Sequence, residues 1–101
     1  MNTLVAVAIA PLGKDESVSE DVAEVIRVIR DSGLPSTTTS MFTEIEGPWD
    51  DVMKVVKEAV KVLADKGIRT EVVLKADIRP GHESTISSKV EKVDKLLGEE
   101  K

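Results

Sequence analysis

This sequence predicts an α+β sandwich: one antiparallel sheet with its helices on a single face. Three observations carry that reading. Along the chain, period-2 and period-3.6 apolar patterns alternate as strand–helix, strand pair, helix–strand, then a last helix. The first strand is apolar without interruption. Serine, acidic and glycine signatures punctuate the helix ends where caps are needed.

Taken in order, Thr3 to Pro11 is short, continuously apolar and rich in β-branched residues, the pattern of a strand buried on both faces. Val5, Val7 and Ile9 point one way, and Leu4, Ala6 and Ala8 the other. Ser17-Val18-Ser19-Glu20 is a capping box, in which serine oxygen and glutamate carboxylate satisfy orphan amides reciprocally. Behind it Val18, Val22, Val25, Ile26 and Ile29 fall on one helical face, and Gly33 marks a left-handed C-cap after Ser32.

Pro35 to Glu46 reads as two strands with a break near Ser40-Met41, because the threonines of Ser36–Ser40 disfavour helix. In Met41-Phe-Thr-Glu-Ile-Glu-Gly47, residues Met41, Thr43 and Ile45 face one side, and Phe42, Glu44 and Glu46 the other. Gly47 is expected to turn the backbone into a helix opening at Pro48-Trp49-Asp50-Asp51, whose acids suit the positive helix end. Two carboxylates at a sheet end suit a cationic or amine-bearing ligand; the plainer reading is a solvent-facing strand edge.

The second helix runs from Trp49 to about Asp65, burying Trp49, Val52, Met53, Val56, Ala59, Val60 and Leu63, with Gly67 as its C-cap. Ile68 to Arg79 alternates as a strand, with Ile68, Thr70, Val72, Leu74, Ala76 and Ile78 inward. Pro80-Gly81 stops it. Ser84 or Thr85 caps a third helix whose buried stripe is Ile86, Val90, Val93 and Leu97.

The order is βαββαβ plus a C-terminal helix, a ferredoxin-like sandwich in a single domain spanning 1–101. Helices cover only one face of such a sheet, yet the first strand is apolar on both. The bare face calls for a second copy, which predicts a homo-oligomer; the competing expectation is a monomer roofed by its own last helix.

Composition narrows the function. A net charge of −5 and only two aromatic residues, Phe42 and Trp49, argue against nucleic-acid binding. No cysteine is present, so disulfide, thiolate-metal and thiol chemistry are excluded, in keeping with a reducing cytoplasm. No apolar run approaches the roughly 20 residues of a membrane span. Charged residues reach 33%, with Asn2 the only amide side chain, a balance expected of a thermophile.

Candidate groups are few. His82 is the only histidine, so neither a triad nor a two-histidine metal site can be built. Gly13-Lys14 lacks the spacing of a phosphate loop, although the amides near Ser17 open a helix that suits an anion. Asp50 and Asp51 fit helix-start acids better than metal ligands. Asp77 and Arg79 share a strand face, as a recognition pair or as a cross-strand ion pair. Lys89 lies between Ile86 and Val90, its ammonium in reach of Glu46 or Asp77. No nucleophile sits beside a base, which predicts no enzyme, no cofactor and no metal.

Taken together, Met41-x-Thr43-x-Ile45-Glu46-Gly47, Ser17-Val18-Ser19, Ser32-Gly33-Leu34, and Asp77-x-Arg79 with Lys89-Val90 resemble the small thiamine-binding proteins also called DUF77 or UPF0045. The resemblance spans nearly the whole chain. It implies a ferredoxin-like fold, assembly as dimers or dimers of dimers through the sheets, and binding of thiamine or its hydroxymethylpyrimidine moiety. On that resemblance Glu46 is the leading ligand-binding residue, accepting from an aminopyrimidine or facing a thiazolium. Thr43, Ser19, Asp77, Arg79 and Lys89 are further candidates. Phe42 stands where relatives often carry glycine, so it narrows the pocket or supplies its stacking surface. The competing function is an oligomeric regulatory or assembly module that responds to a small anion.

Overall fold

The apolar N-terminal run forms the central strand. In the computed structural model, residues 1–13, 18–78, 80–81, 93 and 96–98 are described. They form β1 (Asn2–Pro11), α1 (Val18–Asp31), β2 (Ser36–Thr38), β3 (Thr43–Pro48), α2 (Trp49–Ala64) and β4 (Thr70–Ile78). The sheet is antiparallel in the order β2-β3-β1-β4, which with two helices is the expected ferredoxin-like arrangement.

Register divides the residues between two faces, because cross-strand partners share a face. Toward the helices point Thr3, Val5, Val7 and Ile9 of β1, opposite Gly47, Ile45 and Thr43 of β3 and Ile78, Ala76, Leu74 and Val72 of β4. On that side Val5, Val7, Ile9 and Ile45 are buried together with Val25 and Ile29 of α1 and Val52, Val56, Ala59 and Leu63 of α2. The opposite face, helix-free among the described residues, carries Leu4, Ala6, Ala8 and Ala10, all half-buried rather than fully buried as the apolar run suggests. The two described helices, α1 and α2, lie over one face, and only alternate residues of β1 enter the core.

Several expectations are corrected in detail. Trp49, Met53 and Val60 are half-buried rather than core, since α2 turns only its Val52–Val56–Ala59–Leu63 line fully inward. Val72 is 41% exposed, and Ala76 is also exposed, because β4 is an edge strand at the margin of the helix layer. Met41, expected on one strand face with Thr43 and Ile45, lies outside β3 in the bend before it and is exposed. Most of the segment expected to form a third helix lies outside the described residues, as do Ser17 of the expected capping box, His82, Arg79 and Lys89. One helical turn is described, Leu97 N–H donating to Val93 O at 3.0 Å. There Val93 and Leu97 are 54% and 66% exposed, not buried as their spacing suggests. A helical stripe is buried only where it meets a surface, and these two side chains meet little of their own chain.

The C-terminal ends of both helices match expectation. Gly33 and Gly67 adopt φ +82° and +75°, the left-handed conformation that glycine accepts without a Cβ clash. Ser32 Oγ donates to Ile29 O at 2.6 Å and accepts from Leu34 N–H at 3.2 Å, fixing the exit from α1. Past α2, Lys66 Nζ lies 2.9 Å from Glu24 Oε2 and 3.6 Å from Asp21 Oδ1, with Asp21 only 4% exposed. The hydrogen bond to Glu24 holds the Lys66 ammonium above its ordinary value, and the attraction of Glu24 and Asp21 adds to it against the opposing effect of desolvation.

Gly47 has a different role from the one expected. It makes no turn: it continues β3 opposite Thr3, is buried, and lacks a positive φ. A Cβ there would sit 3.1 Å from Leu34 Cδ2 and 3.5 Å from Val52 Cγ2, so the position is governed by close approach of the α1–β2 connection to the sheet.

Gly47→Val is therefore expected to destabilise by about 1–3 kcal/mol through overpacking, with Gly47→Ala milder because Leu34 is a flexible neighbour. Urea unfolding measures both, and an unchanged midpoint in the valine variant would contradict the packing. For Lys66 the sign follows from its raised value. Its contribution is complete below the ordinary lysine value of 10.5 and fades as pH rises through the shifted one. Melting temperature should then fall less steeply in Lys66→Met than in the parent above that pH; superimposable profiles would show that the cluster contributes nothing.

Candidate functional site

The ladder around β1 is asymmetric. β4 pairs with it as far as Pro11↔Thr70, whereas β3 stops at Val7↔Thr43. Beyond Val7, where β3 would have continued, a cleft of about 240 Å³ opens. Its floor is Val7–Ala10, one wall is Val22, Val25, Ile26 and Ile29 of α1, and the other is Thr38–Thr43 of the β2–β3 hairpin.

The hairpin wall is fixed from within. Thr39 N–H donates to Phe42 O at 2.8 Å, Thr39 Oγ1 donates to the same carbonyl at 2.9 Å, and Phe42 N–H donates to Thr39 Oγ1 at 3.3 Å. This double use of one threonine closes the turn and holds half-buried Phe42 in the lining of the cleft. Thr43, 5% exposed, points to the helix side with its hydroxyl 3.5 Å from Thr38 Oγ1. The site thus combines apolar walls, one aromatic ring and a few hydroxyls, the usual make-up of a small-molecule pocket. Its volume is below the roughly 300–1,000 Å³ of sites for drug-sized molecules, and so suits one heterocycle better than two.

The acidic candidates lie elsewhere. Glu46 and Asp77 both flank Leu4 on the helix-free face, from β3 and β4 respectively. Glu46 is 5% exposed, and Asn2 Nδ2 donates to its Oε2 at 3.0 Å. Asp77 is half-buried and engaged. Leu4 is four residues from Ala8, roughly 13 Å along the strand, so neither carboxylate lines the cleft. Ser19 is exposed in the first turn of α1 and does not line it either. Phe42 and Thr43 are brought together; Glu46 and Asp77 form a second pair on the other face.

Sequence reasoning missed Asn2 as the partner of Glu46, Thr39 as the hairpin clamp, and the main-chain edge of β1 that β3 leaves unpaired beyond Val7. The length mismatch between a long apolar strand and a short one ending at Thr43 is the signal that would have found the last of these. Among the described residues, no group of three or more His, Cys, Asp or Glu side chains is placed to hold a metal ion. No described helix is long and apolar enough to cross a membrane.

The sequence profile described as "Thiamine-binding protein" matches residues 5–94, which takes in both faces and the cleft. The chain belongs to the thiamine-binding protein family. A UPF0045 protein of Mycobacterium bovis is 48% identical over 98 residues, covering 96% of each chain. Among solved structures, a hypothetical protein of Methanocaldococcus jannaschii superposes with TM-score 0.77 at 38% identity, covering 98% of each chain. A Bacillus cereus domain of unknown function, DUF77, superposes with TM-score 0.81 at 29% identity, covering 91% of this chain and 89% of that one. The family is named for binding, not for a reaction. The cleft offers apolar walls and hydroxyl groups.

Proposed function

We propose that this protein is a non-enzymatic binder of thiamine or its hydroxymethylpyrimidine moiety, acting as a homo-oligomer. The observation that carries the reading is the cleft beyond Val7, walled by apolar side chains and bordered by Phe42 and Thr43. A pyrimidine fits its volume, while the remainder of thiamine extends through the mouth. Phe42 contributes ring contact, worth about 1–3 kcal/mol in comparable base–aromatic stacks. Thr43 Oγ1, already near Thr38 Oγ1, supplies a hydroxyl at the buried end.

Support for self-association comes from apolar surface on the single chain. Val73 of β4, Leu96 and Leu97 are 51%, 80% and 66% exposed, and the even residues of β1 are half-buried. A second copy is the occupant that both the helix-free face and the Val93–Leu97 turn favour.

Calorimetry with thiamine and with hydroxymethylpyrimidine is expected to show binding that Phe42→Ala weakens about tenfold, or about 1.4 kcal/mol. Glu46→Gln should leave affinity unchanged. No heat at millimolar ligand would overturn the function, and a loss confined to Glu46→Gln would move the site to the helix-free face. Sedimentation at micromolar concentration should give a dimer or larger species. A compact single chain would remove the assembly.

A further inference from the structure

Within the cleft, the direction of each main-chain group on β1 follows from hydrogen bonds already present. In a strand, the N–H and C=O of one residue point to the same edge, and successive residues alternate between edges. Trp49 N–H donates to Met1 O at 2.9 Å, so odd residues of β1 face β3. Leu12 N–H donates to Arg69 O at 2.8 Å, so even residues face β4. Glu46 N–H donates to Pro35 O at 3.0 Å, away from β1, which leaves Ile45 and Gly47 to pair with Val5 and Thr3. All three give the same phase.

Ile9 therefore presents its N–H and C=O to the edge that β3 has vacated, into the cleft that it lines. The hairpin turns away at Thr39–Phe42, so no described residue of β3 faces Ile9 in the register. Ile9 is only 7% exposed, and its main-chain donor, facing the cleft, pairs with water or with whatever fills that space. Pro11, next on the same edge, has no N–H. Beyond Val7 this edge of β1 consequently offers one donor, Ile9 N–H, beside the Ile9 carbonyl.

On the binding function proposed above, we infer that Ile9 reads the ligand through its main chain. The chemical class is a flat heterocycle carrying an exocyclic amine next to a ring nitrogen, as in a 4-aminopyrimidine. The amine donates to Ile9 C=O and the ring nitrogen accepts from Ile9 N–H, which continues the β-ladder with a ring in place of β3. Ala8 and Ala10 take no part, because their N–H groups face β4.

The test combines two measurements on the intact protein. Calorimetry compares thiamine with oxythiamine, in which the amine is replaced by an oxo group and the neighbouring ring nitrogen carries a proton. Amide NMR follows Ile9, Ala8 and Ala10 during titration with thiamine and with hydroxymethylpyrimidine. Oxythiamine should bind about tenfold more weakly or worse, since its donor and acceptor oppose those of Ile9. The Ile9 amide proton should move downfield and exchange more slowly on saturation, while those of Ala8 and Ala10 stay in place. Thiamine binding with an unmoved Ile9 amide, or with equal affinity for oxythiamine, overturns the main-chain readout and leaves the binding function standing. Absence of binding by either probe overturns both.

Discussion

Everything in this fold depends on β1 being held between two antiparallel neighbours. Its odd residues face the helices, and Thr3, Val5 and Val7 are 0%, 0% and 2% exposed. Each lies opposite a residue of β3 and one of β4, so these three are held within a doubly paired ladder, whereas Ile9, paired with β4 alone, lies past its end. A slip of one residue would turn Leu4, Ala6 and Ala8 to the helices and carry Val5 and Val7 to the other face. The alternation of large inward and small outward residues therefore specifies register, and register decides which main-chain groups face the cleft.

Much of this was legible in the sequence because the signals were local. Val25 and Ile29 of α1, and Val52, Val56, Ala59 and Leu63 of α2, follow a helical period that needs no tertiary information. The Gly33 and Gly67 caps and the break between β2 and β3 are equally local. What escaped depends on partners distant in the chain. Gly47 reads as a turn beside Pro48, yet its role is set by Leu34, which crosses the sheet there. Val93 and Leu97 carry the spacing of a buried stripe, but spacing cannot show which surface, or whose, receives it.

The candidate site was half legible for the same reason. Phe42 and Thr43 were singled out through the family resemblance and line the cleft, but Glu46, the leading candidate, belongs to the other face. A carboxylate so near the sheet end draws attention because burying an unpaired charge is costly. Here Asn2, 44 residues away in sequence, donates to it across the β1–β3 ladder. That contact gives Glu46 a structural role before any ligand is considered: it ties the start of β1 to the end of β3.

Recognition through the main chain also explains why no side-chain motif marks the cleft. A strand edge offers its donor and acceptor whatever the side chain, provided that the residue keeps its place in the ladder and its apolar contact with α1. At Ile9 any large aliphatic residue would meet both conditions. What cannot change freely is the point at which β3 leaves β1. Thr39 closes the hairpin on Phe42 and sets that point, one paired residue past Ile45 on the inward face. A longer β3 would satisfy Ile9 with a neighbouring strand and fill the space that a ring would occupy. The short third strand is thus the feature through which sequence controls binding, by leaving one sheltered donor and one acceptor without a strand beside them.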